Sequence, residues 1–230
     1  LLGFAEKISQ QAWVDQTERA YMEAAQARQL GDSIDSIKAN PLLKPFVRGG
    51  FQDMDFQLGV AERQAEANRR IADDLKKLPP EKMQEFLREQ SRSLWEQTGQ
   101  GLSAKGRSTA LQLQMKSEAS LMAAHAQAHA EYLNQQKYEK MSAMVTAKLI
   151  GLQALKGGNT QPAVQDLAAT LLHVQGELDR EQYEPIVTNV LGMMFEDGMF
   201  HEADQLFRGG GDGYGITEGW SFDTRAKVAA

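Results

Sequence analysis

The chain has 230 residues, a formal net charge of −6 and no cysteine. That excludes disulfides, a thiolate nucleophile and cysteine-based metal sites. The acidic balance argues against a dedicated nucleic-acid reader, which shows a basic stripe, and no run of about eighteen apolar residues exists to form a membrane-spanning helix.

Taken in order, Leu1 to Leu30 reads as a first helix. Phe4, Ile8, Trp13, Val14, Tyr21 and Met22 supply its apolar positions, and Gly31 ends it. Asp32 and Ser33 are placed to cap a short helix over Ile34–Ala39, which Asn40-Pro41 breaks. Pro41 to Gly50 reads as an apolar connector closed by a double glycine. Phe51 to Leu78 is then a second long helix, stopped by Pro79-Pro80, and Pro80 opens a third over Glu81–Gln97. Gly99, Gly101 and Gly106 make a loose link.

The stretch that follows organises the chain. From Arg107 to Leu155 there is no proline, one glycine (Gly151), and a high content of Ala, Gln, Leu, Met, Lys and Glu, the residues that lose least on entering a helix. It predicts one helix of roughly 45 to 50 residues, roughly 70 Å long. Leu111, Met122, Leu133, Met144 and Leu155 recur every eleven residues, close to three helical turns, and so form a nearly straight stripe. Ala119 to Ala130 carries no charged side chain, and its small residues, Ala126 among them, admit another helix closely. The stripe is therefore a candidate oligomer interface.

After the turn Gly157–Thr160 come helices over Gln161–Val174, with Gly176 as a breaker, Asp179–Glu196 and Met199–Phe207. Arg208 to Trp220 is a glycine-dominated loop. It lacks both the lysine and the preceding strand that a phosphate loop requires. Tyr214, Ile216 and Trp220 read as its anchors, with Tyr214 and Trp220 as further interface candidates. No two-residue alternation is sustained anywhere. The expected fold class is all-α, an elongated multi-helix protein with little or no sheet, divided into 1–104, a long central helix over 105–156, and 157–230. The chain opens without methionine and closes on what reads as a helix start at Ser221–Val228, so it is expected to be a piece of a longer polypeptide.

Charge is uneven. Residues 1–104 carry 14 basic and 16 acidic groups, residues 105–156 carry 7 and 3, and residues 157–230 carry 4 and 12. A basic rod beside an acidic tail piece fits pairing between copies, and fits two solvated faces equally well.

No catalytic constellation emerges. His125 and His129 share one helical face with Glu131 nearby, but the metalloprotease pattern needs Glu directly after the first His, where Ala126 stands. Two histidines in an Ala-rich stretch read as packing residues. The adjacent carboxylates Asp73-Asp74 and Glu196-Asp197 point apart on a helix, whereas acid–base work needs them across a cleft. Met193, Met194, Phe195, Met199 and Phe200 read as core. The residues thus point to a non-enzymatic assembly protein with no catalytic residue, cofactor or metal.

Four features in order resemble a family. They are AWVDQTERAYMEAAQARQLGDSIDSIKANP (12–41), PFVRGGFQDMDFQLGVAERQAE (45–66) with Gly59 in its helix, the long Ala/Gln helix, and FHEADQLFRGGGDGYGITEGWSFDTRAKVAA (200–230). Together they resemble the internal virion proteins, or core and ejection proteins, of short-tailed bacteriophages (podoviruses). The resemblance implies packaging in the capsid core above the portal and ejection through the tail. Reassembly in the host periplasm, as a ring or tube with other ejection proteins, would follow. Phage DNA would pass through this conduit without sequence-specific binding. It implies no catalytic residue for this segment. The competing expectations are a tape-measure-like scaffold or coiled-coil adaptor, and a helical enzyme domain.

Overall fold

A computed structural model describes residues 2–207 and Ile216, with residues 2–9 described as helical backbone alone. Among the described residues there is no strand, and seven α-helices follow one another. They are α1 (Leu2–Gln29), α2 (Lys44–Asp73), α3 (Pro80–Thr98), α4 (Ala104–Ala154), α5 (Gln161–Glu177), α6 (Arg180–Glu196) and α7 (Phe200–Phe207). The fold is all-α. No described helix is long and apolar enough to cross a membrane.

The helix limits follow from local chemistry. α1 ends on Gly31, whose φ of 91° lets the Asp32 amide reach the Ala27 carbonyl at 2.9 Å. Pro80 is the first residue of α3. Ser103 caps α4, its hydroxyl accepting the Gly106 N–H at 2.8 Å. Asp179 caps α6 by accepting the Gln182 N–H at 2.9 Å. Thr160 stands at the start of α5, but its hydroxyl donates to Glu202 of α7 at 2.9 Å and so ties two helices together.

Three expectations need correction. The short helix after Asp32 is only a 3-10 turn, Ile34–Ser36, and Ser33 makes no side-chain cap bond. Gly49-Gly50 does not form a connector, because α2 starts at Lys44 and runs through both. A Cβ on Gly50 would lie 2.9 Å from the Tyr21 carbonyl carbon and 3.1 Å from its Cα. The glycine is there to let α1 and α2 touch backbone to backbone. Gly176 likewise lies inside α5, which continues to Glu177.

The chain divides into two compact units, residues 1–132 and 133–230, so the division falls within α4. In the first unit, Ala20 and Ala24 of α1 pack on Val47 of α2. Next along, Phe56, Val60, Leu94, Leu102 and Ala110 form a second cluster, in which the Phe56 and Trp95 rings lie 4.8 Å apart. Ala67, Ile71, Leu75, Met83, Leu87 and Leu121 form a third. The second unit has one larger core. Val145, Leu149 and Leu152 of α4 meet Val164, Leu167 and Leu171 of α5, Val187 and Leu191 of α6, and Leu206 of α7. On its rim Lys148 pairs with Asp166 at 2.6 Å and Lys137 with Glu177 at 2.9 Å. Such exposed pairs contribute little to stability.

Candidate assembly surface and polar clusters

In the first unit α4 turns one flank away from the cores. At about 100° per residue, Leu111, Met115, Met122 and Ala126 fall within an arc of roughly 60°. Leu111 is 52% exposed and Met115 70%. Ala126 is exposed, and Met122 is half-buried against the third cluster. Met115, Ala119 and Met122 line one wall of a groove of about 240 Å³ whose other wall includes Leu87 and Arg88 of α3. Met115 is more exposed than Leu111, yet an eleven-residue interval passes over it. The signal that finds it is the four-residue step from Leu111. In the second unit Leu133 and Leu155 are also exposed, while Met144 packs against the core. Tyr214 and Trp220 lie outside the described residues. Their neighbour Ile216 is fully buried in the second unit's core, with its N–H donating to the Leu206 carbonyl at 3.3 Å and its carbonyl accepting the Tyr183 hydroxyl at 3.1 Å. Burial raises the Tyr183 phenol well above its usual range.

Sequence reasoning missed the main polar cluster of the first unit. Asp53 of α2 is 2% exposed. Its carboxylate accepts the Tyr21 hydroxyl at 2.7 Å, the Ser103 hydroxyl at 2.6 Å and the Ser103 N–H at 3.1 Å. Three elements therefore meet on one carboxylate, which also sits at the positive end of α4. Burial, the Asp53 hydrogen bond and the Asp53 charge all push the Tyr21 phenol up. Gly106 leaves room for the carboxylate, since a Cβ there would collide with the Asp53 side chain. The Ser103 hydroxyl donates to Asp53 and accepts from the Gly106 N–H, and so fastens the start of α4 to α2. Beside it opens a groove of about 420 Å³ lined by Val14, Glu18, Tyr21, Met22, Phe46 and Lys105.

His125 is fully buried. Its Nε2 lies 3.1 Å from both the Leu75 and Leu78 carbonyls, while Nδ1 of His129 lies 2.7 Å from the Lys76 carbonyl. Carbonyls only accept, so those ring nitrogens carry protons and are not free to ligate a metal. The two rings stack 5.5 Å apart and clasp the turn that follows α2. Among the described residues no group of three or more His, Asp or Glu is arranged to hold a metal ion. A further polar network links Trp95, Gln114, Glu118 and Ser91. Glu118 accepts from Gln114 at 2.7 Å and from Ser91 at 2.5 Å, at the edge of a cavity of about 50 Å³. Of the adjacent carboxylates, Asp74 pairs with Arg70 at 2.8 Å, and the Arg70 hydrogen bond holds it below the usual carboxylate range. Asp197 accepts from Gln153.

No family model and no solved structure matches the chain. It is similar to a protein named peptidoglycan hydrolase gp36 from Pseudomonas phage phiKMV, at 24% identity over 132 residues. The match takes in 57% of this chain and 15% of that protein, so the chain spans a small part of its relative's length. The similarity points to a phage protein. It also corrects one expectation from the sequence, that the protein is not an enzyme, because the relative is named as a hydrolase.

Proposed function

We propose that the protein acts at the bacterial cell envelope during phage infection, coupling cleavage of peptidoglycan to delivery of the genome. The observation that carries this reading is the similarity to a phage peptidoglycan hydrolase. In this account the protein travels in the virion interior, leaves with the genome and enters the host periplasm. There its helices assemble, with further copies and with other ejection proteins, around the path of the DNA. What supports the assembly part is the exposed apolar flank of α4 at Leu111 and Met115 in the first unit; in the second unit Leu133 and Leu155, the latter just past the end of α4, are exposed as well. Exposed apolar side chains on a helix face, as at Leu111 and Met115, are suited to a partner helix.

The test is made on the intact protein as the particle carries it. An antibody to this chain should detect it in purified virions, then in the host envelope fraction after infection. The intact protein should release soluble muropeptides from purified sacculi. Absence from the particle, or presence without any muropeptide release, would overturn the reading.

A further inference from the structure

Two grooves of the first unit adjoin the Asp53 fastening, and Ser103 lines both. One, of about 420 Å³, has an apolar wall of Val14, Met22 and Phe46 and carries Glu18 and Lys105. The Trp13 ring meets Phe46 edge-on, with 6.4 Å between centroids, and continues that wall. The other groove, of about 580 Å³, is polar. Arg48, Gln52 and Gln100 line it with Gly49 and Gly101. A Cβ on Gly101 would collide with the Gln52 side chain, so the glycine is what lets that amide lie against the turn Gly99–Gly101.

The polar groups here are uncommitted. The side chains of Arg48, Gln52, Gln100 and Lys105 make no hydrogen bond or ion pair with the described residues. Gln52 is half-buried, and an amide in that position without a partner in the chain is left to water or to a ligand. The shape of the grooves is fixed in advance. Tyr21 lines the first and Ser103 both, and the Asp53 carboxylate holds each of them, so little ordering remains to be done at binding.

Such a surface asks for a ligand with both apolar and hydrogen-bonding faces and with negative charge at points. Aromatic and apolar side chains pack against the C–H faces of sugar rings, amides bond hydroxyl and acetamido groups, and guanidinium and ammonium groups take carboxylates. Duplex DNA fits less well. Its phosphates are met by a stripe of cations, whereas here two cations share the surface with Glu18 and an apolar wall.

We propose that the two grooves beside Ser103 hold a peptidoglycan strand, with sugar rings on the apolar wall and stem-peptide carboxylates at Arg48 and Lys105. The inference rests on the envelope reading and gives it a point of contact on this chain.

Co-sedimentation of the 230-residue chain with purified sacculi tests it. Arg48→Ala with Lys105→Ala should weaken binding by about tenfold or more, the loss of two charge-assisted contacts. Both side chains are exposed, so the fold is unaffected. Arg69→Ala with Lys77→Ala removes the same charge at exposed positions. Arg69 stands roughly 30 Å along α2 from Arg48, well beyond the screening length, so this variant should bind within about twofold of the unaltered chain. Sacculi stripped of stem peptides by an amidase should bind the unaltered chain about as weakly as the first variant binds intact sacculi. An unaltered chain that does not sediment with sacculi would overturn the proposal. So would a first variant that keeps sacculus binding, including one that loses only binding to duplex DNA, which would assign the two cations to phosphates. Muropeptide release by the intact protein without binding here would remove the grooves and leave the envelope reading. Binding through these residues without release would keep the grooves and overturn that reading.

Discussion

Replacing Asp53 by alanine is the sharpest test of how the first unit is held. The carboxylate accepts two hydroxyls and one backbone N–H, from α1 and from the start of α4. Hydrogen bonds to a buried charge contribute about 1.5–3 kcal/mol each. The Tyr21 and Ser103 side chains also line surface grooves, so water replaces part of what they lose. Allowing for that, and adding about 0.5 kcal/mol for the charge at the α4 N-terminus, the expected loss is ~3–5 kcal/mol. With a urea slope of about 2 kcal/mol per molar, the first unit's midpoint should fall by about 2 M. Tryptophan fluorescence reports it, because Trp13 and Trp95 both lie in this unit. Asp53→Asn, which keeps one acceptor oxygen, should lose about half as much. In a Tyr21→Phe background the Asp53→Ala effect should shrink by about 1–2 kcal/mol, the coupling expected between partners in one network. A midpoint shift below about 0.3 M for Asp53→Ala would refute the reasoning, since it would mean the three bonds contribute nothing net.

The remaining predictions concern packing, pH and the exposed face. Gly50→Val places a side chain against the Tyr21 backbone, and overpacking of this kind costs about 1–3 kcal/mol; urea titration should show the loss in the first unit, with the second unit's midpoint unchanged. The Tyr183 phenol is raised above its ordinary value of 10.0 in the folded chain. An unfolded chain therefore gives up that proton first, so stability is full below about pH 10 and falls above it, by up to about 1.4 kcal/mol per pH unit. Tyr183→Phe should flatten that alkaline slope in the second unit, as read from urea midpoints at stepped pH. Met115→Glu changes a side chain that is 70% exposed, so the unfolding free energy of the isolated chain, read by urea titration, should move by no more than the ~0.5 kcal/mol typical of surface changes, while association between copies weakens.

Much of this fold is legible from helix propensity and from the positions of proline. The long helix and the start of α3 follow from composition and Pro80 alone. Glycine is where the reading fails. Gly31 and Gly50 look alike in a sequence, yet one turns the chain and the other lets two helices touch. Nothing local separates those two uses. The division of the chain inside α4 is also invisible, because residues near Tyr132 have the same helix-forming character as their neighbours. The exposed face is partly legible as a spacing of apolar residues, and Met115 is lost when a single interval is imposed. The Asp53 cluster leaves no trace, because its partners stand 32 and 50 positions away. Ser103 alone gives a clue, as a capping residue just before a helical run.

The molar mass of the protein in solution, by light scattering, bears most directly on the claim that its helices assemble around a passage. It should be read for the unaltered chain and for the double variant Leu111→Glu with Met115→Glu, each with and without the other proteins of the particle. The account predicts a discrete oligomer for the unaltered chain, alone or with those partners, and a folded monomer for the variant under the same conditions. An unaltered chain that stays monomeric under every condition, or a variant that assembles as well as the original, would contradict it.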